Sequence, residues 1–442
     1  MPVFYRCCAS HRVLNGTRPL VPRIAGAAWT VGAFLLVNSS LGAGVLNYPA
    51  AYDRAGGIVT ATFLQIFMVC LNVVTMLILG YCSDLSGDNT FHDVLLTTCG
   101  RRAQQIAAVS VLLSCYGVCI AYLIVIGDQY DRLFASLIGP VFCHEWYLNR
   151  QFTTFATAVL LVLPLCYFRR LDFLKYASSL GIFIMLYPVF LTIFIFTTEE
   201  LEKVTMKTKP NSLVDLIVIL PVFCFAYQAH EVVVPIYANM RDRRLANLAK
   251  AAVVTTAFLF IIYTLMGTFG YMAYGSTVKP DIMQMFDASN PWVLIGVGAL
   301  IVKMITTYPL LTYCGRGAID GLYAELAKLP AKRFIQGEPR RRVFITTGWF
   351  LTTVGLATFT SNIGVMIELL GCLAAANAFI FPGLCLLGLF HQQVRFGLRR
   401  PMTTFIVGAV LVVIGSFIFG VVLLSAIMHD ITKGGSNHLL CT

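Results

Sequence analysis

Long apolar segments, nearly free of charged residues, recur along the whole chain and alternate with short polar ones. A helix needs about 17 to 25 mostly apolar residues to cross the hydrocarbon core of a bilayer. Eleven segments meet this requirement, at roughly 27–51, 58–81, 104–128, 152–168, 175–198, 212–239, 251–275, 291–313, 343–360, 364–389 and 403–427. The pattern predicts an all-α integral membrane protein with eleven transmembrane helices.

The distribution of basic residues predicts the orientation of these helices, because cytosolic loops are enriched in Lys and Arg. If the N-terminus is cytosolic, the inner segments hold 23 of the 32 basic residues and the outer segments hold 8, with Lys303 inside a span. We therefore expect a cytosolic segment 1–24, a transmembrane domain 25–427 and an extracellular or lumenal tail 428–442. The net charge of +11 then reflects membrane topology and not binding to nucleic acid.

Composition supports a chain surrounded by lipid and disfavours an enzyme. Only 12% of the residues are charged and 58% are hydrophobic, whereas soluble domains carry about 25% charged residues. The 14 cysteines show no metal-ligand spacing, and the sequence has neither an HExxH nor a Gly-x-Ser-x-Gly motif. We expect no enzymatic activity and no cofactor.

Two predicted spans contain residues that interrupt a helix. Within the segment Val37–Pro49, Asn38, two serines and two glycines lie in mid-membrane, and Phe223–Gln228 lies between Pro221 and Pro235. Opened backbone at membrane depth is tolerated where it lines a cavity. Because the two spans are five apart, they run in opposite directions, as in transporters built from inverted repeats. The alternative is that the small residues only permit close helix packing.

The interrupted spans predict two five-helix repeats, at about 25–198 and 212–390, followed by an eleventh helix at about 403–427. In such a fold the N-termini of half-helices hold a substrate carboxylate, and freed carbonyl groups hold an ammonium group or a cation. The candidate substrate-binding residues at the two interruptions are Ser40, Gly42, Ala43, Gly44, Phe225 and Tyr227. For either aromatic residue, packing against neighbouring helices or lipid is the alternative.

The segment GAGVLNYPAAYDRAGG, from Gly42 to Gly57, resembles the signature of the sodium-coupled neutral amino acid transporters, in the amino acid/auxin permease superfamily. Shorter matches follow in order across about 27–427: IGDQ from Ile126, FLKYAS from Phe173, His230 before VPIY, Tyr308-Pro309, CGR from Cys314, and FPGLC from Phe381. The resemblance is closest to the glutamine- and asparagine-preferring members, numbered seven and eight. It implies a LeuT-type fold of 5+5 inverted repeats plus one helix.

The resemblance also implies a sodium site. Asn38 falls where the family places a sodium-ligating asparagine, and Thr306 and Thr307 fall where hydroxyl groups of the eighth span complete the site. Neutral amide and hydroxyl oxygens suit a hard cation such as sodium. The alternatives are hydrogen bonding between helices for Asn38 and hydrogen bonding to helix carbonyls for the two threonines.

Four ionisable residues are candidates for coupling transport to an ion. Lys303 lies in the eighth span, on the helical face of Thr306 and Thr307, so its ammonium group could occupy or oppose the sodium site. Snorkelling or pairing with a carboxylate, for which Glu368 is a candidate, is the alternative. His230 and Glu231 follow the second interruption and are candidates for proton coupling; a structural histidine and a surface glutamate are the alternatives.

The leading hypothesis is a secondary active transporter of glutamine-like and asparagine-like neutral amino acids, with sodium as co-substrate and lipid as its surroundings. A proton-coupled or uncoupled carrier and an amino-acid-sensing receptor of the same fold are the alternatives. The sequence leaves open the exact substrate, the direction of net flux, the oligomeric state and the choice between the plasma membrane and the lysosome.

Overall fold

The computed structural model describes residues 27–139, 145–168, 174–198, 204–210, 212–287, 289–326, 331–359, 363–395 and 402–432. The predicted cytosolic segment 1–24 and residues 433–442 of the predicted tail lie outside these ranges.

The described chain is helical almost throughout. Its α-helices are Trp29–Ser40 (α1), Tyr48–Arg54 (α2), Ile58–Ser86 (α3), Phe91–Cys99 (α4), Arg101–Ile138 (α5), Arg150–Thr157 (α6), Leu163–Cys166 (α7), Leu174–Thr198 (α8), Leu213–Val218 (α9), Leu220–Ala226 (α10), His230–Ala238 (α11), Leu245–Tyr274 (α12), Pro291–Leu326 (α13), Ala331–Phe359 (α14), Ile363–Ala375 (α15), Phe381–Arg395 (α16) and Met402–Thr432 (α17). Short π-helical turns at Ala158–Val162 and Ala376–Ile380 join α6 to α7 and α15 to α16.

Eight helices in the described ranges are long and apolar enough to cross a membrane, and a bent pair brings the number to nine. The predicted span 152–168 corresponds to the shorter apolar helix Arg150–Cys166, and 343–360 overlaps the second half of α14. The all-helical membrane fold is therefore confirmed, whereas the total of eleven spans stays a prediction. The sequence also underestimated α5 and α13, which continue well past their apolar windows to Ile138 and Leu326.

Both predicted interruptions are present. The first separates α1 from a 3-10 turn at Ala43–Asn47 that leads into α2, and the two parts of this span are bent by 57°. The second is a non-helical stretch at 227–229, between α10 and α11. Pro221 opens α10, where its missing N–H costs no helical hydrogen bond.

Helices five positions apart in the series of spans resemble one another in length. The second and seventh, α3 and α12, have 29 and 30 residues, and the third and eighth, α5 and α13, have 38 and 36. Members of each pair pack against each other. The similar lengths agree with the predicted pair of repeats, which stays a prediction.

Candidate functional site

The two interruptions meet at the centre of the molecule. The hydroxyl group of Ser40, at the end of α1, donates a hydrogen bond of 3.4 Å to the carbonyl oxygen of Gln228. The hydroxyl group of Tyr263, from α12, lies 3.1 Å from the Ser40 carbonyl oxygen and 3.0 Å from that of Ala226. One buried phenol therefore holds the carbonyl ends of two broken helices together.

The backbone leaves the helical hydrogen-bond pattern at both places. The Leu41 amide still bonds to the Val37 carbonyl at 2.8 Å and closes α1, whereas Gly42 is extended. A side chain on Gly44 would place its Cβ 3.3 Å from the Phe225 ring, so glycine permits the close approach of the two segments. Peptide groups that have left a helix can bind a ligand's charged ends.

The aromatic residues at the site have different roles. Phe225 is half-buried beside Gly44, whereas Tyr227 is fully buried and accepts a hydrogen bond of 2.7 Å from the Gln65 amide of α3. Tyr48 stacks on Tyr263 with ring centroids 4.5 Å apart. Of the two aromatic candidates predicted from the sequence, Phe225 is therefore partly exposed beside the first interruption, whereas Tyr227 is packed among its neighbours. A substrate-binding role for either residue stays a prediction.

A chain of polar side chains follows the second interruption. The Glu231 carboxylate accepts hydrogen bonds from the side-chain amide groups of Gln228 and, at 2.7 Å, of Asn377. The side-chain oxygen Oδ1 of Asn377 in turn accepts a hydrogen bond of 2.9 Å from the Ser110 hydroxyl group of α5. Glu231 is thus half-buried among helices and is not a surface residue. His230 is fully buried, with Nε2 2.8 Å from the Thr75 hydroxyl group.

The residues implied as a sodium site lie on two different helices. Asn38 is in the last turn of α1, next to the interruption. The Thr307 hydroxyl group donates to the Lys303 carbonyl oxygen at 2.8 Å, and Thr306 donates to the carbonyl oxygens of Val302 and Lys303 at 2.9 and 3.0 Å. These bonds match the alternative stated for the threonines, yet they use only the hydroxyl protons. The oxygen lone pairs remain available to a cation.

Lys303 is buried, with 3% of its surface exposed. Its stem packs against Gly181 of α8, where an added Cβ would lie 2.6 Å from the Lys303 Nζ atom. Helix α8 also contacts α1, so the ammonium group of Lys303, which belongs to α13, packs against a helix that borders the candidate sodium site. Among the ion pairs of the described ranges, none includes Lys303.

Glu368 forms an ion pair with Arg54, at the end of α2, and not with Lys303. Beside it, Lys207 contacts Asp53 at 2.9 Å and ties the segment 204–210 to the same helix. These pairs join the bent half of the first span to its neighbours on the side that we expect to be outer.

The opposite side is joined by backbone hydrogen bonds. The Ala27 amide donates to the Asn239 carbonyl oxygen at 3.1 Å, and the Arg241 amide donates to the Ala27 carbonyl oxygen at 2.9 Å. Nearby, Tyr237 donates to Asp84 at 2.6 Å. The segment just before α1 is therefore held to the segment just after α11.

Sequence reasoning missed several residues of this site. Tyr263 and Gln65 lie in apolar α-helices and Asn377 lies in the π-helical turn after α15, and none of the three carries a local sequence signal. Only the packing of distant helices shows what each one contacts.

Sequence comparisons place the chain in a known family. The sequence profile of the family described as Transmembrane amino acid transporter protein matches residues 25–424. Sodium-coupled neutral amino acid transporter 7 of Homo sapiens is 34% identical over 421 residues, which cover 92% of this chain and 89% of that protein. The corresponding protein of Danio rerio is 34% identical over 415 residues, with coverage of 92% and 89%. Solute carrier family 38 member 8 of Homo sapiens is 29% identical over 414 residues, with coverage of 91% and 95%.

Two solved structures share the fold. The manganese transporter of Eremococcus coleocola superimposes with a TM-score of 0.57 at 12% identity, covering 92% of this chain and 90% of the other. MhsT in complex with L-phenylalanine superimposes with a TM-score of 0.51 at 12% identity, covering 90% and 98%. The predicted LeuT-type fold is confirmed by these neighbours.

Proposed function

Because the chain belongs to the family of transmembrane amino acid transporter proteins, whose members are not enzymes, we propose that it is a secondary active carrier of neutral amino acids with glutamine and asparagine as its substrates. Its relatives are named sodium-coupled neutral amino acid transporters. The observation that carries the proposal is the junction of two interrupted helices, where Tyr263 bonds to the carbonyl groups of Ser40 and Ala226.

The peptide groups at this junction suit the two ends of an amino acid. Amides of Gly42, Ala43 and Gly44 begin the bent half of the first span and bind the substrate carboxylate. Carbonyl oxygens freed near Ser40 and Ala226 accept from the substrate ammonium group, with Phe225 beside the substrate side chain. A neutral substrate needs no charged partner for that side chain, which agrees with the half-buried, uncharged Phe225 and Gln228.

Transport proceeds by alternating access, in which one bundle of helices rocks against the other around the fixed site. The Arg54–Glu368 pair opens on one side and the Ala27–Asn239 contact opens on the other. The two repeats of 25–198 and 212–390, with the eleventh helix at 403–427, supply the two bundles. The carrier lies in the plasma membrane or the lysosomal membrane, with its N-terminus on the cytosolic side.

Sodium is the proposed co-substrate, held by Asn38, Thr306 and Thr307. Both threonine hydroxyl groups direct their protons to helix carbonyls, which leaves oxygen lone pairs for the ion. Removing either hydroxyl group raises the sodium concentration needed for half-maximal transport.

Buried Lys303 favours a second candidate, in which its ammonium group takes the place of sodium and transport is proton-coupled or uncoupled. A lysine in the bilayer centre costs about 2.5–3.5 kcal/mol on insertion scales, so a buried one has a function or a partner. No carboxylate of the described chain forms that partner. In this candidate Glu231, held by Gln228 and Asn377, is the group that exchanges a proton.

Uptake of radiolabelled glutamine into proteoliposomes, with sodium and proton gradients varied independently, tests the proposal. Sodium coupling predicts that uptake rises with the sodium gradient in the wild type and in Lys303→Ala, and that Thr306→Ala and Thr307→Ala need more sodium. Lys250→Ala, on an exposed position of α12, is the matched lysine control.

The results separate the alternatives. Wild-type uptake that ignores sodium, but becomes sodium-dependent in Lys303→Ala, establishes the lysine candidate. Glutamine that binds under every gradient without being taken up contradicts a carrier and supports a receptor.

A further inference from the structure

A cavity of about 250 Å³ lies apart from the central site, between α5, the start of α6 and the loop that joins α12 to α13. Tyr122 of α5 borders the first interruption, since its hydroxyl group would lie 3.8 Å from a Cβ on Gly42. Asp128 and Arg132 line the cavity six and ten residues further along the same helix. At 1.5 Å per residue, the cavity is about 9 to 15 Å from the level of the central site.

The charged residues around this cavity balance. Among the side chains that line it, three are acidic and three are basic: Asp128, Asp131, Asp287, Arg132, Arg150 and Lys279. Asp281, which does not line the cavity, also acts electrostatically on Arg132 and Asp128. An excess of one sign would favour an ion of the opposite sign, whereas a balanced lining favours a ligand that carries both. Hydrogen bonds from Ser289 hold the pKa of Asp287, at the rim of the cavity, below its usual range.

The lining is constructed by specific contacts. Gly127 lets Arg150 lie against α5, because a Cβ there would be 2.8 Å from the Arg150 Nε atom. Arg150 then reaches one oxygen of Asp128, Oδ1, at 2.7 Å. Arg132 donates from Nη2 to the Phe286 carbonyl oxygen, which fastens the loop to the same helix.

Two buried polar atoms of the lining have no hydrogen-bond partner in the described chain: Oδ2 of Asp128 and Nη1 of Arg132. The two residues are 7% and 5% exposed. A buried polar atom that makes no hydrogen bond is costly even where the rest of its group is paired, and such atoms are normally satisfied by a ligand or water. One atom accepts and the other donates, so together they match an ammonium group and a carboxylate.

We propose that this cavity is a second binding site for a zwitterionic neutral amino acid, whose carboxylate pairs with Arg132 and whose ammonium group pairs with Asp128. At about 30 Å³ per water, the volume corresponds to about eight waters, enough for a small amino acid. Ala135 and Phe286 border the ligand's side chain. The choice of an amino acid as the ligand rests on the proposed function, whereas the site rests on its own geometry.

Equilibrium binding of radiolabelled glutamine to the full chain in nanodiscs tests this proposal through its stoichiometry. The wild type is expected to bind two glutamines per chain. Gly44→Leu, which fills the central site against Phe225, leaves one. Arg132→Gln should also bind one glutamine, and this remaining binding shows that the variant is folded. Lys279→Ala, at the rim of the cavity, should lower the affinity of the second site for glutamine about tenfold to a hundredfold.

Controls identify both the site and the ligand class. Arg341→Gln removes an arginine that pairs with Asp320 at 3.0 Å, far from the cavity in the predicted cytosolic region, and keeps two sites. Alanine displaces the second glutamine, whereas acetate or methylammonium, each carrying one of the two charges, does not at equal concentration.

Three outcomes overturn the proposal. The wild type binds one glutamine per chain and only Gly44→Leu removes it, or two glutamines remain bound in both Arg132→Gln and Lys279→Ala. In the third, acetate or chloride alone displaces the second glutamine. The last result identifies an anion site instead. Binding at the cavity without uptake in proteoliposomes contradicts the proposed carrier function and supports the second site. Uptake without a second bound glutamine supports the carrier function and contradicts the second site.

Discussion

At the scale of single residues, Tyr263 is the side chain on which the central site most depends. Its hydroxyl group bonds to carbonyl oxygens from both interruptions, while its ring stacks on Tyr48. Tyr263→Phe keeps the ring and removes the bridge. Losing a buried hydrogen bond costs about 1–3 kcal/mol, so we expect glutamine affinity to fall about tenfold or more.

Tyr308→Phe is the matched control for that prediction. Tyr308 is equally buried, and its hydroxyl group lies 2.6 Å from that of Thr353, away from both interruptions. Equilibrium binding should show a loss of affinity in Tyr263→Phe alone, although both variants lose stability. Equal affinities in the two variants would mean that the bridge is only structural.

Asp281 makes the loop between α12 and α13 sensitive to pH. Burial raises the pKa of Asp281 to about 6, although Arg132 opposes the rise. Its carboxylate accepts a hydrogen bond of 2.9 Å from the side-chain amide of Gln129 and one of 3.0 Å from the backbone N–H of Met283. When the loop opens, the pKa returns to about 3.9. The closed loop therefore binds the proton more tightly, and low pH favours closure.

As the pH falls from 6 to 4, we expect the equilibrium constant for opening of this loop to decrease about tenfold per pH unit. Above pH 6, Asp281 should have no effect on it. Amide hydrogen exchange at 282–286, corrected for intrinsic rates, measures this opening. Asp281→Asn should remove the slope; since Asp128 also faces this carboxylate, any slope left in that variant reports Asp128. Protection that decreases as the pH falls would contradict the assignment.

At the scale of helices, two glycines let α2 lie directly on α12. A Cβ at Gly267 would be 2.6 Å from the Tyr52 ring, and one at Gly270 would be 2.4 Å from the Pro49 ring. Neither ring is the end of a flexible chain. Gly267→Ala must therefore push α2 outwards, at about 1–3 kcal/mol. We expect a lower thermal midpoint and greater labelling of the central site from the outer side.

Gly298→Ala tests whether this effect comes from contact and not from the loss of a helical glycine. Nothing lies within 4 Å of a Cβ at Gly298, in α13. Alanine is about 1 kcal/mol more favourable than glycine inside a helix, so this variant should keep or raise the midpoint. A similar loss in both variants would remove close approach as the cause.

The helices also show how far sequence can predict this structure. Both interruptions were predictable, because Gly, Ser and Pro in mid-membrane are unfavourable to a continuous helix. The length of α5 was not predictable from the sequence. Its apolar window ends at Asp128, a charged residue, but the structure pairs Asp128 with Arg150 and the helix continues. Charges that are paired inside the protein end the apolar pattern without ending the helix.

The central site was predictable only in part, for a related reason. Ser40, Gly44 and Phe225 belong to the interruptions and were identified from them. Tyr263 is 223 positions from Ser40 in the chain, and Asn377 is 146 from Glu231. Contacts of that separation depend on how whole helices pack, which no local pattern specifies.

At the scale of the whole molecule, contacts of two kinds hold the first span to its neighbours, one kind on each side of the central site. On the expected outer side the contacts are ion pairs between side chains, Arg54–Glu368 and Lys207–Asp53. On the expected inner side the backbone of Ala27 bonds to that of Asn239 and Arg241. A carrier must release one set while it keeps the other, because release of both would open a continuous pore.

A disulfide across the inner contact tests this reciprocity. Ala27 and Met240 form an isolated parallel bridge, so cysteines at these two positions lie within reach of a disulfide. Oxidation of the Ala27→Cys, Met240→Cys double variant should abolish glutamine uptake while glutamine still binds from the outer side, because the outer contacts stay free to open. Reduction should restore uptake. Ala27→Cys alone controls for reactions of the other cysteines, and uptake that continues after confirmed cross-linking would contradict alternating access through this contact.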